Sequence, residues 1–295
     1  SITLGEGVSA TNNNTIAFGH NSCACGNHAT IGGGRDHLAY GSHSTIAGGL
    51  SNCGGDNTFI GGGYQNIATG CATIGGGFLN CATSKSAIIG GYLNNATSCS
   101  TIGAGYSNTA ASCSVVVGGS ENCANQYSSI VGGYLNFANQ CSTIGGGSCN
   151  IANFGCYATI AGGLSSKATN FANVGGGAQN TACGLYSSVI GGYLNTAQET
   201  GSIAGGLYSC ALGRASIALG EHNTSCGKGS IAQGYLNTAI GDFSAAIGYN
   251  NCERNASISN YLVGVSNIID DGSTGTTAIG NSNLICAGTQ VTVLG

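Results

Sequence analysis

The sequence predicts an all-β fold, a parallel β-roll or β-solenoid of about 18 coils built on a 14-residue repeat. Three observations predict it. A glycine recurs at 18 positions from Gly5 to Gly248, and 13 of the 17 intervals are 14 residues long. A fixed short period marks an array of stacked units. Columns aligned on that glycine are nearly invariant, and their residues are poor in helix interiors but common in short strands and turns.

Each column has its own physical reading. Three places before the anchor, 17 of 18 coils carry Ile or Val, from Ile2, Ile16 and Ile31 to Ile217 and Ile231. Stacking coils as parallel strands about 4.8 Å apart turns this column into a continuous apolar spine. Five places after the anchor, 15 of 18 carry Ala, where opposite walls approach closely. Three places after it, 13 of 18 carry Asn, including Asn66, Asn80, Asn94, Asn108 and Asn122. A stacked Asn column predicts an amide ladder, each side chain donating to the next. Residues 1–257 hold the repeat; residues 258–295 read as an irregular segment ending in a strand-like connector.

Composition narrows function. Only 5% of residues are charged, with Gly 55, Pro 0 and Cys 16, and six scattered basic residues give a net charge of −4. No basic stripe is present to neutralise phosphates, which argues against nucleic acid. No apolar run is long enough for a membrane span. A coil this short encloses one thin layer, so the burial available to a single chain is small, and a homo-oligomer is expected, a parallel trimer first.

The segments Ser216-Ile-Ala-Leu-Gly220-Glu-His-Asn-Thr-Ser-Cys-Gly227 and Ser230-Ile-Ala-Gln-Gly234-Tyr-Leu-Asn-Thr-Ala-Ile-Gly241 resemble the head repeat of YadA-like trimeric autotransporter adhesins. Related repeats occur in phage and virus fibres. The resemblance covers about residues 1–257 and implies a left-handed roll, a trimer and extracellular display. The chain departs from that repeat by placing Gly33, Gly48, Gly62, Gly76 and Gly90 where the family has a large apolar residue, and by its cysteines.

Several positions are candidate sites. Tyr64, Phe78, Tyr92, Tyr106, Tyr134, Tyr193, Tyr235 and Tyr249 follow anchor glycines and form an aromatic column. Such a stripe suits packing between chains, or gripping a host surface protein or glycan. Cys99 and Cys113, and Cys141 and Cys156 if an insertion near Phe154 is absorbed, are candidate disulfides by column. His20, Cys23, Cys25, His28, His37 and His43 cluster near one another in sequence, yet match no zinc spacing and read as polar turn residues. Asp270-Asp271 reads as a solvated turn before a cation site. Asn13, Asn95, Asn223 and Asn255 open glycosylation sequons. No metal, cofactor or catalytic constellation is expected.

The function read from these features is a non-enzymatic fibre or adhesin head on a cell or virion surface. A polymerising extracellular filament subunit is the alternative. Ice binding comes third, from a partial threonine rank at Thr15, Thr30, Thr45, Thr73, Thr101, Thr143 and Thr159.

Overall fold

A computed structural model describes residues 1–254, 258–270, 272–286 and 288–295. The chain is an all-β parallel solenoid of about 21 turns, and the described residues contain no helix. It divides into two compact units, Ser1–Gly146 and Gly147–Gly295.

The coil from Ser100 to Cys113 shows how sequence becomes structure. Thr101–Ile102 is a two-residue strand with Thr101 outside and Ile102 fully buried. Gly105 then turns the chain, Asn108 points inward, and Thr109–Ala110 forms the second strand with Ala110 inside. Ser112 and Cys113, at φ of 54° and 60°, turn the chain back. Both strands pair in parallel with residues 14 places on, Ile102 with Val116 and Ala110 with Ala124. Alternation within a two-residue strand is enough to sort one side chain in and one out.

Why the anchor must be glycine is clear at Gly91. Its φ is +96°, and a Cβ there would lie 2.3 Å from the Gly105 carbonyl oxygen and 2.5 Å from the Asn94 amide nitrogen. Any side chain would push apart neighbouring coils.

The Asn column forms a ladder. In the first unit Asn66, Asn80, Asn108 and Asn122 each donate through Nδ2 to the Oδ1 of the Asn one coil back, at 3.1–3.2 Å. The same nitrogen also reaches the next coil's anchor carbonyl, as from Asn66 to Gly77 at 2.9 Å. Donation between side chains therefore runs backward along the chain, opposite to the expected direction. The reason is local: Oδ1 already accepts the backbone N–H of the following Asn, as Asn66 does from Asn80 at 3.0 Å. In the second unit the ladder runs through Asn223, Asn237, Asn251, Asn267 and Asn283.

The apolar spine is not continuous. Ile31 through Ile144 in the first unit, and Ile160, Val174 and Val189 in the second, point inward. In the coils of Ile16, Ile203, Ile217 and Ile231, the isoleucine faces out and the following alanine is buried. Ile16 pairs with Thr30, and Ala17 with Ile31. In the second unit Val189 pairs with Ala204, and the register slips before Gly192 meets Gly206. Ile2, Ile16, Ile203, Ile217 and Ile231 are thus outward residues. Two coil classes exist, one with Ile and Ala inside, the other with two alanines, as in the buried trio Ala232, Ala239 and Ala246. The cause is spacing: the second class has one residue fewer between the inward residue and the anchor glycine.

The irregular reading of residues 258–295 is also corrected. Tyr261–Val265, Thr277–Asn281 and Thr292–Leu294 extend the first sheet, and Ile268–Ile269 and Leu284–Ile285 the second. Ala245 pairs with Tyr261, so no boundary falls at 257. Here the anchors Gly248, Gly264 and Gly280 stand 16 apart. Larger inward residues, Leu262, Ile269 and Ile285, replace the alanines that mark the repeat. These coils raise the count above 18.

Candidate functional site

The aromatic residues sit on the first turn, immediately after the anchor glycine, where the chain leaves the first strand. In the first unit, Tyr64, Phe78, Tyr92 and Tyr106 bridge one another in sequence through their backbones. Their ring centroids are 4.8, 4.9 and 5.4 Å apart. The stacking pitch follows from the spacing of hydrogen-bonded coils. Tyr92 and Tyr106 remain 38% and 44% exposed, so the ladder offers ring edges and hydroxyls to the outside. Ser120 interrupts the column before Tyr134, which has no ring beside it in the adjacent coil below.

The second unit builds its ladder differently. Tyr193 meets Tyr208 edge-on at 5.4 Å, Tyr208 stacks on His222 at 4.8 Å, His222 meets Tyr235 at 6.4 Å, and Tyr235 stacks on Tyr249 at 5.3 Å. Tyr208 and His222 stand one place later than the others and fill the gap left by Leu207 and Glu221. Column alignment alone misses them. A third ladder, Tyr157, Phe171 and Tyr186, lies on the opposite turn with centroids 5.4 and 5.2 Å apart.

Both turns hold residues in the left-handed region. Of the described residues, 43 that are not glycine have φ between 47° and 65°, and none is Ile, Val or Thr. β-Branched side chains clash with the backbone there, so the pattern is a steric filter on an otherwise Ile- and Thr-rich chain. Leu93, Leu135, Leu194 and Leu236, each following a tyrosine of the aromatic column, occupy this conformation.

Cysteines fall into distinct settings. Cys99 and Cys113 hold equivalent left-handed turn positions in adjacent coils, and both are exposed free thiols. Cys141 holds that turn position in its own coil, but Cys156 does not: Tyr157 takes it, at φ 60°. The inserted residues precede the turn, and the Cys156 carbonyl accepts the Phe171 N–H. Cys141 and Cys156 are therefore not a same-column pair. Cys23, on the two-residue strand Cys23–Ala24, is bonded to Cys25 just beyond its end, a pairing that alignment by column does not bring together. Burial pushes the thiols of Cys53, Cys81, Cys123, Cys210, Cys226 and Cys252 upward, which makes them weak nucleophiles at neutral pH.

The histidines do not converge. His28 and His43 stack face to face at 5.0 Å. His20 lies 3.8 Å from Glu6. His37 is buried in the Asn column, where its Nδ1 accepts the Asn52 N–H at 3.1 Å. Its Nε2 meets no partner in hydrogen-bonding geometry, and burial holds its pKa below 6.5 despite the nearby Gly49 carbonyl. Among the described residues no three His, Cys, Asp or Glu side chains gather as metal ligands. Asp270 stands 3.6 Å from Arg254; Asp271 and the sequon at Asn255 lie outside the described residues. Asn223 is fully buried in the ladder, so its sequon is closed to modification in the folded chain. Thr15 is buried too and drops out of the threonine rank.

Glu253 is a polar centre with no counterpart in the sequence reading. It takes an alanine-column place and is fully buried. Its carboxylate accepts from Ile240 N–H at 2.9 Å, Gly241 N–H at 2.8 Å, Ser244 Oγ at 3.2 Å and Asn260 Nδ2 at 2.8 Å. A carboxylate at a column of methyl groups was the available signal. Compared with known proteins, the chain matches no protein-family model and no curated protein sequence.

Proposed function

We propose that this chain is a non-enzymatic segment of an extracellular fibre or adhesin head, carried on a cell or virion surface and meeting its partners through the aromatic ladders. The observation that carries the reading is the ladder Tyr64, Phe78, Tyr92 and Tyr106. Four rings are held at 4.8–5.4 Å spacing on hydrogen-bonded backbone, yet stay part-exposed. Rigid, amphipathic rings bring contact area with little entropy to lose on association. The resemblance of Ser216–Gly227 to adhesin head repeats points the same way. The partner read first is another copy of the chain, in a trimer, because two alanines per coil leave some coils with little apolar interior.

The experiment replaces Tyr64, Tyr92 and Tyr106 together by Ala. Light scattering and a thermal melt follow, together with binding to immobilised glycans and host cells. Lower oligomer mass with a lower Tm supports a seam between chains. Unchanged mass and Tm with lost surface binding moves the ladder to a ligand face. No change in any of the three readouts removes the ladder from the function.

A further inference from the structure

The geometry points to Cys99 and Cys113 as a two-thiolate site for one soft monovalent cation of the copper(I) or silver(I) class. The two residues occupy one column of the second turn, at φ 64° and 60°. Their backbones are fixed by matching hydrogen bonds, Cys99 N–H to Ser84 and Cys113 N–H to Ser98, at 2.9 and 2.8 Å. Both thiols are exposed and free. They stand in adjacent coils of the parallel stack, about 4.8 Å apart along it.

Spacing selects the chemistry. Equivalent atoms in adjacent coils are offset by about 4.8 Å, whereas a disulfide needs its two Cβ atoms about 3.5–4.5 Å apart. Closing the bond would require the coils to pinch. Two thiolates at the coil offset of about 4.8 Å hold one two-coordinate cation midway with metal–sulfur bonds of about 2.4 Å, comparable to the roughly 2.3 Å of a zinc–thiolate bond. Thiolate pairs of this kind select soft d10 ions.

Charge fits as well. Two thiols and one monovalent cation give a bis-thiolate of net charge −1 and release two protons to solvent; no electron is transferred. Lys85 holds the same turn position one coil before Cys99, also left-handed at φ 65°. It lines, with Cys71 and Cys99, a cleft of about 490 Å³ that opens beside the pair. Cys71 stands two coils from Cys99 with Lys85 between, about 9.6 Å along the stack, too far to be a third ligand. Tyr127 takes the next place beyond Cys113 and separates it from Cys141.

The test titrates the fully reduced chain with copper(I), without oxygen, against a colorimetric copper(I) chelator that strips single thiols. The expected result is one equivalent fewer retained by Cys99→Ser, by Cys113→Ser and by the double variant alike, with Cys71→Ser unchanged. X-ray absorption on the difference equivalent should show two sulfur neighbours. Independent losses, in which the double variant loses the sum of the singles, overturn the site. So does an equal loss in Cys71→Ser, or a Cys99–Cys113 disulfide found by peptide mass spectrometry after purification in air. All three positions are exposed turns, and a melt of each variant verifies that the coils remain intact.

Discussion

Asn108 donates its side-chain amide to Asn94 Oδ1 at 3.1 Å, and the same oxygen accepts the Asn108 backbone N–H at 3.0 Å. Asn94 in turn donates to the carbonyls of Gly90 and Gly105 at 3.1 and 2.9 Å. One side chain thus ties its own coil to the next through four hydrogen bonds.

Replacing Asn94 by Ala should cost about 3 kcal/mol, because the Asn108 N–H and the Gly90 carbonyl lose a partner inside the coil at about 1–3 kcal/mol each, while the Gly105 carbonyl keeps the Tyr92 N–H. The exposed neighbour Asn95→Ala should change stability by less than about 0.5 kcal/mol. Denaturant unfolding of both variants measures the difference, and similar losses would mean that the ladder contributes nothing specific.

The two coil classes make opposite demands on isoleucine. Ile102→Ala empties a fully buried site and should cost about 2–5 kcal/mol. Ile217→Ala removes an outward, half-buried side chain and should cost roughly 1 kcal/mol or less. A comparison of the two melting curves decides the matter; equal losses would return Ile217 to the interior.

His37 makes stability depend on pH with a definite sign. Its folded pKa lies below 6.5, the unfolded value, so the unfolded chain binds the proton first as pH falls. Stability is full above 6.5 and declines as pH drops from there through the folded pKa. His37→Asn restores the ladder residue, removes that decline and should add about 1 kcal/mol by pairing a buried group. Melts between pH 8 and pH 5 follow it, and a variant with the same slope as the parent would place the dependence elsewhere.

Glu253→Ala should destabilise the second unit by about 3 kcal/mol or more, since it strands the Ile240 and Gly241 N–H groups and takes one acceptor from the Asn260 amide, which keeps the Ser273 carbonyl. Glu253→Gln keeps the shape but turns an amide donor toward other donors, and should recover only part. Hydrogen exchange at Ile240 and Gly241 reports it directly, with unchanged protection in the alanine variant as the contrary result.

Much of the fold was legible because the repeat exposes it. The glycine column, the Asn ladder at Asn66 to Asn122 and the inward isoleucines from Ile31 onward follow from alignment on one residue type. What escaped alignment were displacements of one place. Ile203 and Val189 share a column by counting from glycine, yet one faces out and the other in, because backbone pairing slips between them. Tyr208 and His222 escaped for the same reason. The last coils escaped because Leu262, Ile269 and Ile285 leave Ala278 as the one alanine of their core cluster, and Glu253 because only packed donors make a buried carboxylate acceptable.

The left-handed turns leave the chain well short of the most stable sequence for its own backbone. A non-glycine residue at positive φ costs about 1–2 kcal/mol, and Leu93, Cys99, Tyr127 and Phe171 each occupy such a place. Asn, which tolerates that conformation better, would fit the same backbone at many of these positions. A designer seeking a heat-resistant fibre could therefore work through the turns alone, leaving every inward residue untouched. The same freedom makes these turns the natural place to graft foreign side chains, provided none is β-branched.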